Sequence, residues 1–218
     1  DTALVKSAST FLGLGYYDCL LCHNGRGHLD SLSVWGARTT RFQAQQMSAL
    51  FTRTNRRAYT FPPGTTAEQQ RADPMAGSFY TEDITNRTYN LRTNFGNRPN
   101  RTPMGTATTM NPEWSLSSGA KPNGNFWRQD FAENMVKDKM FSRNLANRLW
   151  KQMFNMALAD PLDQLDPDRL DPKNPPPAPW TFQATHPQLL EDLSDWMVSY
   201  DFNLREFLRL LTESSAYQ

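Results

Sequence analysis

A mainly α protein with long irregular loops and one small β hairpin is the fold class this sequence predicts. Apolar residues recur at helical spacing in several stretches and alternate over only two short ones. Between these stretches Asn, Pro, Gly and Thr dominate, which is the composition of turns and loops. Only 38% of the residues are apolar and 15 are proline. A core that thin gains from a buried cofactor or from neighbouring subunits.

The elements follow in order. Residues 2–14 place Leu4, Val5, Ala8, Phe11 and Leu12 on one helical stripe, and Gly13 and Gly15 break it. Asn24-Gly25-Arg26-Gly27-His28 reads as a tight polar turn. Residues 39–55 form a helix with Thr39-Thr40 as caps and Phe42, Met47, Leu50 and Phe51 as its apolar face. Phe79-Tyr80 and Tyr89-Asn90-Leu91-Arg92 read as two short strands of one hairpin. Residues 94–125 are expected as an irregular surface segment, long enough to suggest packing against a partner. Helices return at 127–137 and 140–156, the second with Phe141, Leu145, Leu149, Trp150, Met153 and Phe154 as its stripe. An Asp/Pro-rich connector from Asp160 to Pro179 precedes helices 187–199 and 203–214, the first opened by Pro187.

Charge excludes some functions. Lys and Arg number 23 against 22 Asp and Glu, so neither nucleic acid nor an anionic membrane surface has an electrostatic claim on this chain. No apolar run reaches the roughly 18 residues a spanning helix needs. The chain starts at Asp1 without a signal peptide, already in helical pattern, and is expected to be a processed product or a piece of a longer protein.

The chemistry concentrates in Cys19-Leu20-Leu21-Cys22-His23, which holds both cysteines of the chain. This is the C-x-x-C-H pattern of c-type haem attachment. Two intervening residues let one helical turn present both thiols to one porphyrin edge, and the next residue offers its imidazole to the iron. One covalent haem c is therefore expected, packed between helices, with Cys19 and Cys22 as attachment points and His23 as proximal ligand. A redox dithiol normally follows a strand, a plain disulfide leaves His23 unexplained, and a zinc site lacks a second ligand pair at the usual distance. Thioether attachment takes place outside the cytoplasmic membrane, so a periplasmic, cell-surface or extracellular bacterial protein is expected.

Three strings carry a resemblance: FLGLGYYDCLLCHNGRGHLDSLSVWG (11–36), DKMFSRNLANRLWKQMF (138–154) and the stretch from Asp171 to Gln218. They resemble the planctomycete-type cytochrome c family, large secreted proteins with paired domains of unassigned function, also found in verrucomicrobia and acidobacteria. The resemblance implies a cytochrome-like fragment of a longer protein, with Cys19, Cys22 and His23 matching the family's haem string. It implies no catalytic residues.

Three segments result: a haem-attachment segment with flanking helices (1–56), a loop-rich segment with the hairpin (57–125) and a C-terminal helical region (126–218). The expected function is electron transfer by a mono-haem cytochrome, as part of a larger protein or assembly. The distal candidates run from His186, through Met47 and the loop methionines Met75, Met104 and Met110, to His28, which must cross from the proximal side. The alternatives are a haem enzyme of peroxidase type, for which Arg26 with His28 is the nearest acid–base pair, and a structural subunit of an extracellular cytochrome filament. The redox partner is unnamed by the sequence, and a homo-oligomer stays open. Asp160, Asp163, Asp166, Asp168 and Asp171 lack the glycine and terminal Glu of a calcium loop and read as a solvated linker.

Overall fold

The computed structural model describes residues 1–94 and 100–218. Nine α-helices carry the described chain: α1 Thr2–Ser7, α2 Tyr17–Leu20, α3 Val34–Arg38, α4 Arg41–Ala49, α5 Ala67–Ala72, α6 Trp127–Lys137, α7 Lys139–Phe154, α8 Pro187–Ser199 and α9 Leu204–Glu213. Four short strands accompany them: β1 Thr54–Ala58, β2 Phe79–Asp83, β3 Tyr89–Asn90 and β4 Thr109–Met110. The described fold is mainly helical with small antiparallel sheets. No described helix is long and apolar enough to cross a membrane.

One core joins both ends of the chain. Leu4, Leu12, Leu20, Leu21 and Met47 share it with Leu165, Leu190, Met197 and Phe207. α1 continues as a π-helical turn over Ala8–Leu12 and stops at Gly13, whose φ is +73°. The wider turn aligns Leu4, Ala8 and Leu12 inward and leaves Phe11 45% exposed, so Phe11 departs from the expected stripe. Of the two expected caps of α4, Thr40 makes a reciprocal capping box with Gln43 while Thr39 ends α3; the helix stops at Ala49 rather than at 55, and Phe42 of its expected apolar face is 49% exposed.

Helix α7 is buried on a different side from its apolar stripe. Phe141, Leu145, Leu149, Trp150, Met153 and Phe154 are half-buried, whereas Arg143, Asn144, Ala146 and Asn147 are buried. The polar groups are spent on structure. Asn147 accepts from the Leu158 and Ala159 N–H groups (2.9 and 3.0 Å) and donates to Ala159 O (2.7 Å). Arg143 pairs with Glu191 at 2.8 Å, and Ser142 and Ser194 share a 2.6 Å hydrogen bond, which ties α7 to α8. Such buried polar groups are tolerated because they are satisfied.

Two sequence expectations need correction here. The hairpin joining Phe79-Tyr80 to Tyr89–Arg92 does not form. β2 pairs antiparallel with β1, Phe79 opposite Ala58, and β3 pairs with β4, Tyr89 opposite Met110. Local alternation identifies strands but not partners, since pairing is decided by what else is within reach. The second concerns 94–125, of which 95–99 lie outside the described residues. Its described part is not simply surface: Arg101, Met110 and Trp114 are buried. It packs on this chain itself, with Ser115 donating to Gln43 O (2.7 Å) and Gln46 to Glu113 (2.9 Å).

The Asp/Pro connector is not a solvated linker either. It runs back along residues 13–15, with Gly15 N–H to Asp163 O (2.7 Å) and Leu165 N–H to Gly13 O (2.8 Å). Asp166 is 1% exposed. Its carboxylate accepts from the N–H groups of Val34 (2.6 Å), Trp35 (3.1 Å) and Asp168 (3.2 Å), capping α3 from far along the chain.

Candidate functional site: the Cys19–His23 turn and its cleft

The motif begins on α2 and leaves it as a continuing turn. Leu20 and Leu21 N–H groups bond to Tyr16 and Tyr17 carbonyls, both at 3.0 Å. Cys22 and His23 N–H groups then both reach Cys19 O, at 2.9 and 3.3 Å. Cys19 and Cys22 therefore lie one turn apart on the same side, with His23 directly after. Leu20 and Leu21 point the other way and are 0% exposed. The two leucines anchor the turn, Cys19 is exposed, Cys22 is half-buried, and no disulfide joins the two thiols.

The chain after His23 is held by backbone packing. Gly25 N–H bonds to Thr39 O at 2.9 Å. A Cβ on Gly25 would sit 1.6 Å from the Gly36 carbonyl oxygen, so only glycine fits. Sequence reasoning allowed a glycine here for close approach to a flat ring; the close approach is to α3. Asn24 serves both sides: its Oδ1 caps Arg41 N–H at 2.9 Å, and its carbonyl lies 2.9 Å from His23 Nδ1. A carbonyl can only accept, so Nδ1 donates, and in the neutral ring the lone pair then lies on Nε2, the tautomer an imidazole ligand needs.

His23 opens onto a cleft of about 470 Å³ that also contains Cys22, Arg26, His28, Arg41 and Met104. The His23 and His28 rings lie 3.9 Å apart, tilted by 30°. The sequence candidates are thus sorted by position. Met104 and His28 share the cleft with His23. Met47 is 0% exposed within the core, Met110 is 4% exposed on β4, and Met75 lies on the surface. His186 is the exposed N-terminal boundary residue of α8, makes no side-chain cap hydrogen bond, and is not among the residues lining this cleft. Among the described residues no group of three or more His, Cys, Asp or Glu side chains is arranged to hold a bare metal ion.

Arg41 is the cleft residue that sequence reasoning missed. It is 8% exposed, and its Nη1 donates to Thr102 O at 2.5 Å. Burial lowers its pKa from the usual arginine range, and the nearby Arg101 charge lowers it further. Nothing in the pattern around Thr40-Arg41-Phe42 marks it, because its environment is built by residue 102.

Residues 127–218 match the model of a family described as PSD1, protein of unknown function (DUF1553). No curated protein and no solved structure matches the chain. This corrects the resemblance drawn from sequence to the planctomycete-type cytochrome c family. Two of its three strings, 138–154 and 171–218, lie inside the PSD1 match, and that family carries no cytochrome assignment. The C-x-x-C-H turn lies outside the match and stands on its own chemistry.

Proposed function

We propose that Cys19 and Cys22 carry one covalent c-type haem with His23 as its axial ligand, and that the chain serves extracytoplasmic electron transfer. The observation that carries this reading is the donor set on one turn: two thiols on one side, followed by an imidazole with Nε2 free. These residues fit the group by chemistry. Each thiol would add across one vinyl double bond, sulfur to one carbon and the proton to the other, so nothing leaves. When bound, such a haem supplies a one-electron iron couple. The protein's part would be to hold the turn rigid through Leu20 and Leu21, to fix the His23 tautomer through Asn24 O, and to offer a second side-chain ligand from the cleft. Met104 is the first candidate for that role because it lines the same cleft, ahead of His28, His186 and Met47.

The test is the spectrum of the chain purified from a bacterium that matures c-type cytochromes. Absorption bands that survive acid–acetone extraction are expected. Haem that extracts, with Cys19 and Cys22 both alkylated as thiols, would sink the reading in favour of a surface dithiol. Rapid carbon monoxide or peroxide binding would instead favour a haem enzyme using Arg26 and His28.

A further inference from the structure

We propose that the cleft beside Arg41 binds an oxyanion of the phosphate or carboxylate class, held by the Arg41 and Arg26 guanidinium groups with the His28 ring. Arg41 is 8% exposed and has no ion pair among the described residues. Among the described residues its guanidinium donates to Thr102 O from Nη1 alone, while Nε is buried without an acceptor. A buried guanidinium facing one neutral carbonyl is under-compensated, since a desolvated charge needs a counter-charge.

Among the described residues, no carboxylate lines the clefts at Arg41. Arg41 stands between two clefts, of about 470 and 290 Å³, and lines both. Their described linings bring Arg26, His23 and His28 on one side and Arg92 on the other, with no Asp or Glu on either. Arg101 gives no relief: its like charge lowers the Arg41 pKa, and it takes the Asp1 carboxylate for its own ion pair at 2.8 Å. A bound oxyanion would offset both the desolvation and the repulsion at Arg41. The planar guanidinium fork matches the oxygen spacing of phosphate or carboxylate.

This site does not depend on haem attachment. A free phosphate and a pendant carboxylate of an attached haem share the required chemistry, so the experiment has two arms. Inorganic phosphate is titrated calorimetrically, at low ionic strength, into the haem-bearing chain and into the Cys19→Ser/Cys22→Ser chain. Saturable one-site binding in both arms assigns a free oxyanion. Binding only in the haem-free arm assigns the haem's own carboxylates. Arg26→Ala, at an exposed position, should weaken phosphate roughly tenfold in whichever arm binds. Arg41→Lys should do the same, because the charge stays and the fork is lost. Absence of binding in both arms, or unchanged affinity in Arg26→Ala, overturns the proposal. Sodium chloride should weaken binding, as screening of a partly exposed site requires.

Discussion

Residues 14–41 show two faces of opposite character. Inward, Leu14, Tyr17, Leu20, Leu21, Leu29 and Trp35 are nearly inaccessible, and Tyr17 packs edge-on against Trp35 at 5.4 Å. Outward, Cys19, Arg26 and His28 are exposed, and Cys22 and His23 are half-buried beside an open cleft. The inner face is over-determined: packing, the Gly25–Gly36 contact and the Asp166 cap all hold it. The outer face carries chemically capable groups with few structural duties. A rigid turn that projects reactive side chains is how a scaffold prepares a site in advance.

Changes to the outer face should alter chemistry and leave the fold intact, and changes to the inner face should do the reverse. The largest effect is expected from Cys19→Ser/Cys22→Ser, which should abolish the proposed covalent haem altogether while circular dichroism keeps its helical signal. A lost helical signal would show that the outer face also carries the fold.

Gly25→Ala comes next. Its Cβ would overlap the Gly36 carbonyl, so denaturant unfolding should reveal a loss of about 3 kcal/mol or more. Two residues on, Gly27 has a φ of +86° and open space around its Cβ position. Gly27→Ala should therefore cost only about 1–2 kcal/mol, through backbone strain alone. Equal losses at the two positions would break the distinction between the faces.

Asp166→Ala should cost about 2–3 kcal/mol, because the part-buried Val34 and buried Trp35 amides of α3 lose a charged acceptor. The loss should appear together with faster amide exchange at Val34 and Trp35. Exchange unchanged at those amides would mean that α3 is held by other contacts.

The smallest effect concerns pH. Burial raises the Tyr17 hydroxyl pKa above its usual value, and the Asp138 charge adds to this. The folded state then holds its proton where the unfolded chain releases it. Tyr17 therefore contributes full stability below pH about 10 and loses it above, by up to about 1.4 kcal/mol per pH unit. Tyr17→Phe should flatten this alkaline decline in a series of denaturant midpoints, and an unchanged slope would assign the decline to other groups.

Much of the helical architecture was legible because its signals are local. Pro187 opens α8 as expected, Gly13 ends the first helical segment, and Thr40 caps α4. Strand pairing was not legible, since Phe79 and Tyr89 each pair with a segment their own neighbourhood does not reveal. The connector was misread for a similar reason. Asp166 looks like one acidic residue among several, and only the amides of Val34 and Trp35, far back in the chain, give it a buried task. Helix α7 shows a further limit of periodicity: its apolar stripe is half-buried, while Asn144 and Asn147 sit inside because specific carbonyls and amides await them.

Within the site the division is the same. Covalent spacing along one turn determined that Cys19, Cys22 and His23 lie together, and the sequence alone carries that because residues this close share one turn wherever the helix lies. Which groups face that unit was decided by tertiary structure. Met104 and Arg41 enter the cleft because loop 102–104 folds against the start of α4 through the Arg41–Thr102 bond, whereas Met47 packs in the core and His186, at the start of α8, does not line the cleft. Contacts between segments so distant in the chain follow from how the whole core packs, and no local pattern encodes them.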